Sequence, residues 1–263
     1  MNYNKLLITA IKACVSGGKE IMRIYNSDFH VEYKEDNSPL TLADKNCNTI
    51  IEKNLLKTNI PILSEEGGEI DYNKRKEWSL LWLVDPLDGT KEFVKRNGEF
   101  TVNIALILNG NPILGVVYVP VKRVIYFASL GTGAFKAVID LEINTLEDLI
   151  LESTKLPIRK NKNSYVIVGS RSHMSDETKV FFEEKKKEHD SVEILSIGSS
   201  LKLCMVAEGT ADVYPRFAPT MEWDTGAGHA LANIAGFKVH DYITKKELNY
   251  NKENLLNPWF IVF

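Results

Sequence analysis

Cysteine is scarce: Cys14, Cys47 and Cys204 are the only three in 263 residues, widely spaced and without a Cys-x-x-Cys pair. That excludes a disulfide framework and a zinc knuckle, and it suits a reducing cytoplasm. No apolar run approaches the roughly 18 residues of a spanning helix, and Met1 to Lys12 carries a helical pattern rather than a basic segment, an apolar core and a cleavage site. Nothing in the sequence exports or inserts the chain, so a cytoplasmic location is expected. An excess of charge is missing too: 32 Lys and Arg against 35 Asp and Glu give a formal charge of -3, which disfavours a nucleic-acid polymer while leaving room for a local basic patch around a small anion. There is no internal repeat and no low-complexity segment. What is present is an ordinary globular composition, 44% hydrophobic and 25% charged, in a chain long enough to bury a sizeable core.

Leu7, Ala10, Ile11, Cys14, Val15, Gly18, Ile21, Met22 and Tyr25 recur every three or four residues and predict a helix over 3–25. A strand at Val31 to Tyr33 and a polar turn ending in Pro39 follow. Thr41-Leu42-Ala43-Asp44 matches a capping box, opening a second helix with Cys47, Ile50, Ile51 and Leu55 on its apolar side. Pro61 to Ser64 reads as a short strand before Glu65-Glu66-Gly67-Gly68. Leu80 to Val84 reads as a buried strand that stops at an acid, proline and glycine cluster. Phe100 to Leu108, Ile113 to Val119 and Arg123 to Ser129 suggest an antiparallel meander. Beyond a mixed stretch at 139–163, strands at Tyr165 to Gly169 and Val192 to Ile197 alternate with helices near 175–188 and 199–208, a βαβα rhythm. A strand at Ala211 to Pro215, a helix from about Thr225 to Ala235 and a strand at Phe237 to Val239 close the list. The expected class is α/β, an α+β first half (1–140) and an α/β second half (141–263) making one domain. Glu183 to Glu188 reads as a solvated helix face.

Three places put carboxylates at the ends of elements: Glu65, the pair in Asp85-Pro86-Leu87-Asp88-Gly89-Thr90, and Asp224 in Met221 to Gly228. Singly, Asp88 or Asp224 reads first as a helix cap and Glu65-Glu66 as a surface turn. The hexamer differs, because a structural turn does not need two acids directly behind a buried strand. Around the rigid Pro86, both carboxylates and the Leu87 carbonyl can converge on one hard cation. Four such acids in one site would repel by about 4 kcal/mol per close pair at an effective dielectric of ~20, so a shared site requires cations. All-oxygen ligands suit Mg²⁺, and two to three ions would balance four carboxylates and a phosphate, which points to metal-assisted phosphoryl chemistry. Gly89 and Thr90 would offer backbone N–H groups to phosphate oxygens at a helix start.

These residues resemble the Mg²⁺-dependent, lithium-sensitive phosphatases that include inositol monophosphatase, fructose-1,6-bisphosphatase and the bisphosphate nucleotidases. The resemblance rests on Trp82-Leu83-Val84-Asp85-Pro86-Leu87-Asp88-Gly89-Thr90, on Trp223-Asp224 and on the upstream Glu65-Glu66, in matching order over nearly the whole chain. It implies a layered αβαβα sandwich. Lys91-Glu92-Phe93, Arg96 to Asn103, Gly169-Ser170-Arg171-Ser172-His173, Gly198 to Lys202 and Leu256-Asn257-Pro258 resemble the bacterial 3'(2'),5'-bisphosphate nucleotidase branch. The implied reaction is hydrolysis of adenosine 3',5'-bisphosphate to AMP and phosphate.

Carried over, the resemblance makes Glu65, Asp85, Asp88, Asp224 and the Leu87 carbonyl ligands of two to three Mg²⁺ ions. Thr90, oriented by Asp44, would act with Glu65 on the attacking water. Glu65, Leu87, Asp88, Gly89, Thr90, Ser170, His173, Gly198, Lys202, Arg216 and Asp224 would meet the nucleotide. The bland readings stand beside these: Asp44 as a capping residue, His173 as a solvated loop side chain, Lys202 as a surface lysine, Arg216 as one half of an ion pair, His229 as a packed histidine. Trp82 and Trp223 read as packing, and Gly226 departs from the alanine common in the family. The rival substrates are inositol or sugar phosphates. The rival classes are a covalent aspartyl phosphatase, for which the acid spacing has one residue too many, and a non-catalytic metal or nucleotide sensor. The resemblance also extends to peripheral contact with the inner face of the membrane; no anchor is visible, and the oligomeric state has no signal in the sequence.

Overall fold

A computed structural model describes residues 2–27, 31–33, 39–139, 143–158, 163–170 and 175–263. The first helix, α1 (Tyr3–Tyr25), buries Leu7, Ala10, Ile11, Cys14 and Ile21 on the stripe that their spacing dictates, and Asn2 caps it by accepting from the Lys5 amide at 3.2 Å. Strands β1 (Val31–Tyr33) and β2 (Pro39–Thr41) form an antiparallel pair, so Pro39 begins a strand where a turn was expected. The helix α2 (Leu42–Leu55) buries Cys47, Ile51 and Leu55; the side chain of Thr41, its expected cap, lies outside the described residues.

Next come β3 (Ile62–Ser64), α3 (Tyr72–Arg75), β4 (Leu80–Asp88), α4 (Thr90–Val94), β5 (Thr101–Leu108), β6 (Asn111–Val119), β7 (Val124–Ser129) and β8 (Gly133–Val138). After α5 (Leu146–Leu151) and β9 (Thr154–Lys155), a seven-stranded sheet is complete in the order β3-β4-β5-β6-β7-β8-β9. It is antiparallel except between β3 and β4, which run parallel. Chain beyond residue 140 thus contributes to this sheet through β9. The meander expected from the turn signals is its centre, while α3, β8, α5 and β9 carry no signal in the sequence reading.

The rest of the chain is β10 (Tyr165–Ser170), α6 (Asp176–Glu188), β11 (Val192–Ile197), α7 (Leu201–Glu208), β12 (Tyr214–Arg216), α8 (Glu222–Ile234), β13 (Val239–Asp241) and β14 (Phe260–Val262). Strands β10 and β11 pair in parallel, as a crossover requires. A parallel bridge from Ile167 to Val213 joins them to the antiparallel set β12-β14-β13. Here β12 starts three residues later than expected, β13 two later, and α8 three earlier.

The layers follow from which faces are apolar. Helices α1 and α2 cover one face of the large sheet through Leu7, Ile11, Ile51, Trp82, Ile104 and Val116. Its other face meets α7 and α8 through Leu83, Ala105, Val117, Leu203 and Leu231. The second sheet lies beyond those helices and is covered outside by α6, with Phe181 and Phe182 against Ile167 and Val213. Helix, sheet, helix, sheet and helix make the expected αβαβα sandwich. Glu183 to Glu188 is the solvated edge of α6, with Lys186 paired to Glu183 at 2.7 Å. At Gly115 on β6 an added Cβ would lie 2.2 Å from the Ala227 carbonyl oxygen, so α8 rests on bare backbone. Among the described residues, no helix is long and apolar enough to cross a membrane.

Candidate active site

Strand β4 does not stop at Val84; it carries the acids inside it. Asp85 pairs with Asn103 and Asp88 with Thr101, and between these pairs Pro86 and Leu87 oppose the single residue Val102. This is a β-bulge, and it has a stereochemical result. Residues three apart on a regular strand point to opposite faces, whereas Thr101 and Asn103, two apart, share one. The extra residue therefore brings Asp85 and Asp88 to the same face. It also gives Pro86, which has no N–H, a place where the ladder needs no donor. The Leu87 amide donates to Asp85 Oδ1 at 3.1 Å, and the Leu87 carbonyl accepts from Thr90 Oγ1 at 3.4 Å. Cys47 on α2 donates its thiol to the Pro86 carbonyl at 3.2 Å.

The other acids arrive from different elements. The Glu65 amide donates to the Val84 carbonyl at 3.1 Å, extending the parallel β3–β4 ladder by one residue and setting Glu65 beside Asp85. Asp224 is the third residue of α8, where its Oδ2 accepts from the Met221 amide at 2.8 Å; the capping role is real and leaves the carboxylate at the site. That helix start is clamped by Asn257, whose Nδ2 donates to the Met221 carbonyl at 2.7 Å and to Thr225 Oγ1 at 3.0 Å. Glu222 holds it further by accepting from the Asn251 and Lys252 amides.

Glu65, Asp85 and Asp224 each place a carboxylate oxygen within 4.8 Å of the others. Asp88 stands beside this triad, on the side of Lys202. Burial, then the charges of Glu65, Asp88 and Asp224, holds Asp85 well above the usual carboxylate range. Burial and the charges of Asp88 and Glu65 do the same to Asp224. Asp88 is pushed up to about 6 by burial, against the pull of Lys202 and a hydrogen bond from the Ser200 amide. Asp85 Oδ2 is buried without a protein partner. An all-oxygen donor set, with one buried orphan oxygen and suppressed ionisation at Asp85, Asp88 and Asp224, fits hard divalent cations.

A cavity of about 250 Å³ opens over these acids. Glu65, Asp88, Gly89, Thr90, Asp224, Ser170, Gly198, Lys202 and Arg216 all line it, so acids and cations share its walls. Gly89 takes the left-handed conformation (φ 92°) that starts α4. Asp85 is fully buried, and Asp44 lies buried in the first turn of α2, near enough for its charge to raise Asp85. His173 lies outside the described residues. Lys202 is no surface lysine: it is 5% exposed, and its ammonium donates to the carbonyls of Ile197 and Ser199. Burial lowers its pKa to about 8, with Asp88 opposing the shift. Arg216 is 8% exposed; its Nη2 donates to the Pro219 carbonyl at 2.9 Å and its Nε has no partner. Among the described residues no ion pair closes on it, although its charge acts on Asp224.

His229 is packed as expected, with Nδ1 2.9 Å from the Tyr250 hydroxyl and Nε2 3.2 Å from Glu247. Trp82 is core and donates to Thr58 Oγ1 at 3.0 Å. Trp223 is half-buried over a second cavity shared with Glu65. The sequence reading missed Tyr214, Thr220 and Glu92 as cavity walls. Only Glu92, inside a motif, had a signal.

Fold and site together define a metal-dependent phosphatase architecture: the chain matches the inositol monophosphatase family over residues 2–258 and belongs to it. Within that family it is similar to proteins named 3'(2'),5'-bisphosphate nucleotidase CysQ. The Salmonella typhimurium protein is 46% identical over 252 residues, 94% of this chain and 95% of that one. The Escherichia coli K12 protein is 47% identical over the same shares. A crystal structure of CysQ from Bacteroides thetaiotaomicron, described as a bacterial member of the inositol monophosphatase family, has a TM-score of 0.92 at 50% identity and covers 99% of this chain and 97% of that one.

Proposed function

We propose that this protein is a cytoplasmic enzyme that removes the 3'-phosphate of adenosine 3',5'-bisphosphate, giving AMP and phosphate. The observation that carries the substrate is the pair of buried cations, Lys202 and Arg216, in the same cavity as the acids. A monophosphate needs only the acidic side with its metal; a second phosphate needs cationic partners, and Arg216 keeps an unused buried N–H for one. The nucleotidase names of relatives at 46% and 47% identity support the same choice.

Glu65, Asp85, Asp88, Asp224 and the Leu87 carbonyl would hold two to three Mg²⁺ ions. Bound there, the ions supply Lewis-acid activation of water and neutralise phosphate charge. The remaining work falls to the chain itself. Thr90 Oγ1, already tied to the Leu87 carbonyl, holds the attacking water, and Glu65 on the facing strand takes its proton. Asp44, buried and close enough to Asp85 to act on its charge, would orient Thr90. Gly89 and Thr90 present backbone N–H groups to the phosphate being cleaved. Gly198 and Ser170, on the cavity wall, border the nucleoside, while Lys202 and Arg216 hold the phosphate that stays.

A phosphate-release panel with Mg²⁺ tests this reading. Adenosine 3',5'-bisphosphate should be hydrolysed with a kcat/KM well above that of inositol 1-phosphate, and lithium should inhibit. Equal or better turnover of inositol 1-phosphate would overturn the substrate; tight nucleotide binding with no phosphate released from any bisphosphate would identify a sensor.

A further inference from the structure

Leading into and along β5, the sequence Glu99-Phe100-Thr101-Val102-Asn103 alternates polar and apolar residues. Phe100 and Val102 enter the core under α1. Thr101 and Asn103 face the other way, opposite Asp88 and Asp85, and at 0% and 1% exposure they are buried. Neither borders the cavity. Their partners are in the loop between β11 and α7, about a hundred residues away. Glu99 Oε2 accepts from the Gly198 amide at 2.8 Å. Thr101 Oγ1 lies 2.8 Å from Ser200 Oγ and 3.3 Å from Ser199 Oγ. Ser200 Oγ donates to Asn103 Oδ1 at 2.8 Å. The loop gives its backbone in return: the Ser200 amide donates to Asp88, and the Ile197 and Ser199 carbonyls hold the Lys202 ammonium.

Ser199 sits at φ 48°, a conformation a non-glycine residue keeps only when its surroundings impose it. Glu99, Thr101 and Asn103 impose it here. One ladder, β4 against β5, therefore sets Asp85 and Asp88 and, through the loop, the cation near them.

We propose that Thr101, with Glu99 and Asn103, is a positioning residue that fixes the separation of Lys202 from the metal acids, and so sets the enzyme's selection of substrates carrying two phosphates. Thr101 touches no substrate atom; it acts through Ser200 and the loop. The inference rests on the reading that Lys202 holds the second phosphate.

The test is steady-state kinetics of Thr101→Val, a near-isosteric change, on adenosine 3',5'-bisphosphate and on p-nitrophenyl phosphate, which has no second phosphate. Loss of one buried hydrogen bond should raise KM for the bisphosphate about tenfold. Its kcat, and both constants for p-nitrophenyl phosphate, should stay within about twofold. Thr101→Ser restores the hydroxyl and should restore KM. Glu99→Ala, which releases the other end of the loop, should raise the same KM, and it carries the test should Thr101→Val fail to fold. A lower melting temperature with KM unchanged, or an equal rise in KM for both substrates, would overturn the inference. Wild-type protein that does not turn over the bisphosphate at all would instead overturn the reading beneath it.

Discussion

Asp85→Asn separates a ligand from a structural acid. Asp85 is fully buried and lies within 4.8 Å of carboxylate oxygens on Glu65 and Asp224. At an effective dielectric of ~20 each fully ionised pair would repel by about 3.5 kcal/mol. The metal-free protein escapes most of that by taking up protons, as the raised pKa values of Asp85 and Asp224 record. Asparagine keeps the one acceptor the fold uses, the oxygen that receives the Leu87 amide, and removes the charge. In EDTA the variant should therefore melt at or above wild type; a relief of about 1 kcal/mol corresponds to roughly 2–4 °C. With Mg²⁺ the order should reverse. At a hundredfold excess over its dissociation constant a metal adds about 2.7 kcal/mol, or roughly 5–10 °C, to wild type, and little to the variant. The kcat/KM should fall by at least about a thousandfold, near 4 kcal/mol of transition-state stabilisation. Thermal melts with and without Mg²⁺, alongside phosphate release, measure all three. A variant that melts well below wild type in EDTA would show that the acid holds the fold together and would refute the reasoning.

Gly115→Ala should destabilise by about 3 kcal/mol, since overpacking against backbone has no side chain to yield; the clash is with the Ala227 carbonyl at 2.2 Å and Ala230 Cβ at 2.9 Å. Activity should fall with it, because α8 carries Asp224, and an unchanged melting temperature would contradict the packing. Acid stability should have two limbs. Burial depresses His229 below its usual 6.5, so its neutral form stabilises the fold above that pH and the contribution is lost on acidification. Glu247 is held at about 2, chiefly by its hydrogen bond to His229, against an unfolded value of 4.5, so its contribution is present above 4.5 and lost between 4.5 and 2. Chemical-denaturation midpoints against pH for Glu247→Gln should fall less than wild type between 4.5 and 2, where Glu20, also held at about 2 by Arg23, still contributes; a curve parallel to wild type would refute the assignment.

Much of this was legible because the relevant signals are local. The stripe of α1, the apolar run of β4 and the meander turns each act within a dozen residues. The misses have physical reasons. Four-residue α3 and two-residue β9 are shorter than any period can declare; β9 takes its ladder from β8, and α3 is a single turn capped by Asp71 and anchored through Arg75 to the Asn251 side chain and the backbone of 252–253. The end of β4 was misplaced because proline and acids signal termination, whereas a bulge absorbs them. Asp224 was read as preceding its helix, yet it sits inside the first turn, reaching back to the Met221 amide. Lys202 is the sharpest case. Its type favours the surface, and only the fold of the Ile197 to Ser200 backbone around its ammonium makes burial tolerable. The contacts of Thr101 and Asn103 span about a hundred residues, a distance no pattern within one strand encodes.

The bulge at Pro86 and Leu87 has one more consequence. A flat strand with acids at alternate positions would present the same two carboxylates on the same face, but every carbonyl between them would be committed to the neighbouring strand. One surplus residue turns a structural ladder into a donor of backbone oxygen without unzipping the sheet on either side. On the proposed ligand set, deleting Pro86 should leave a well-folded protein that keeps its acids and loses the Leu87 carbonyl as a neutral ligand, which would show as weaker stabilisation by Mg²⁺ in thermal melts.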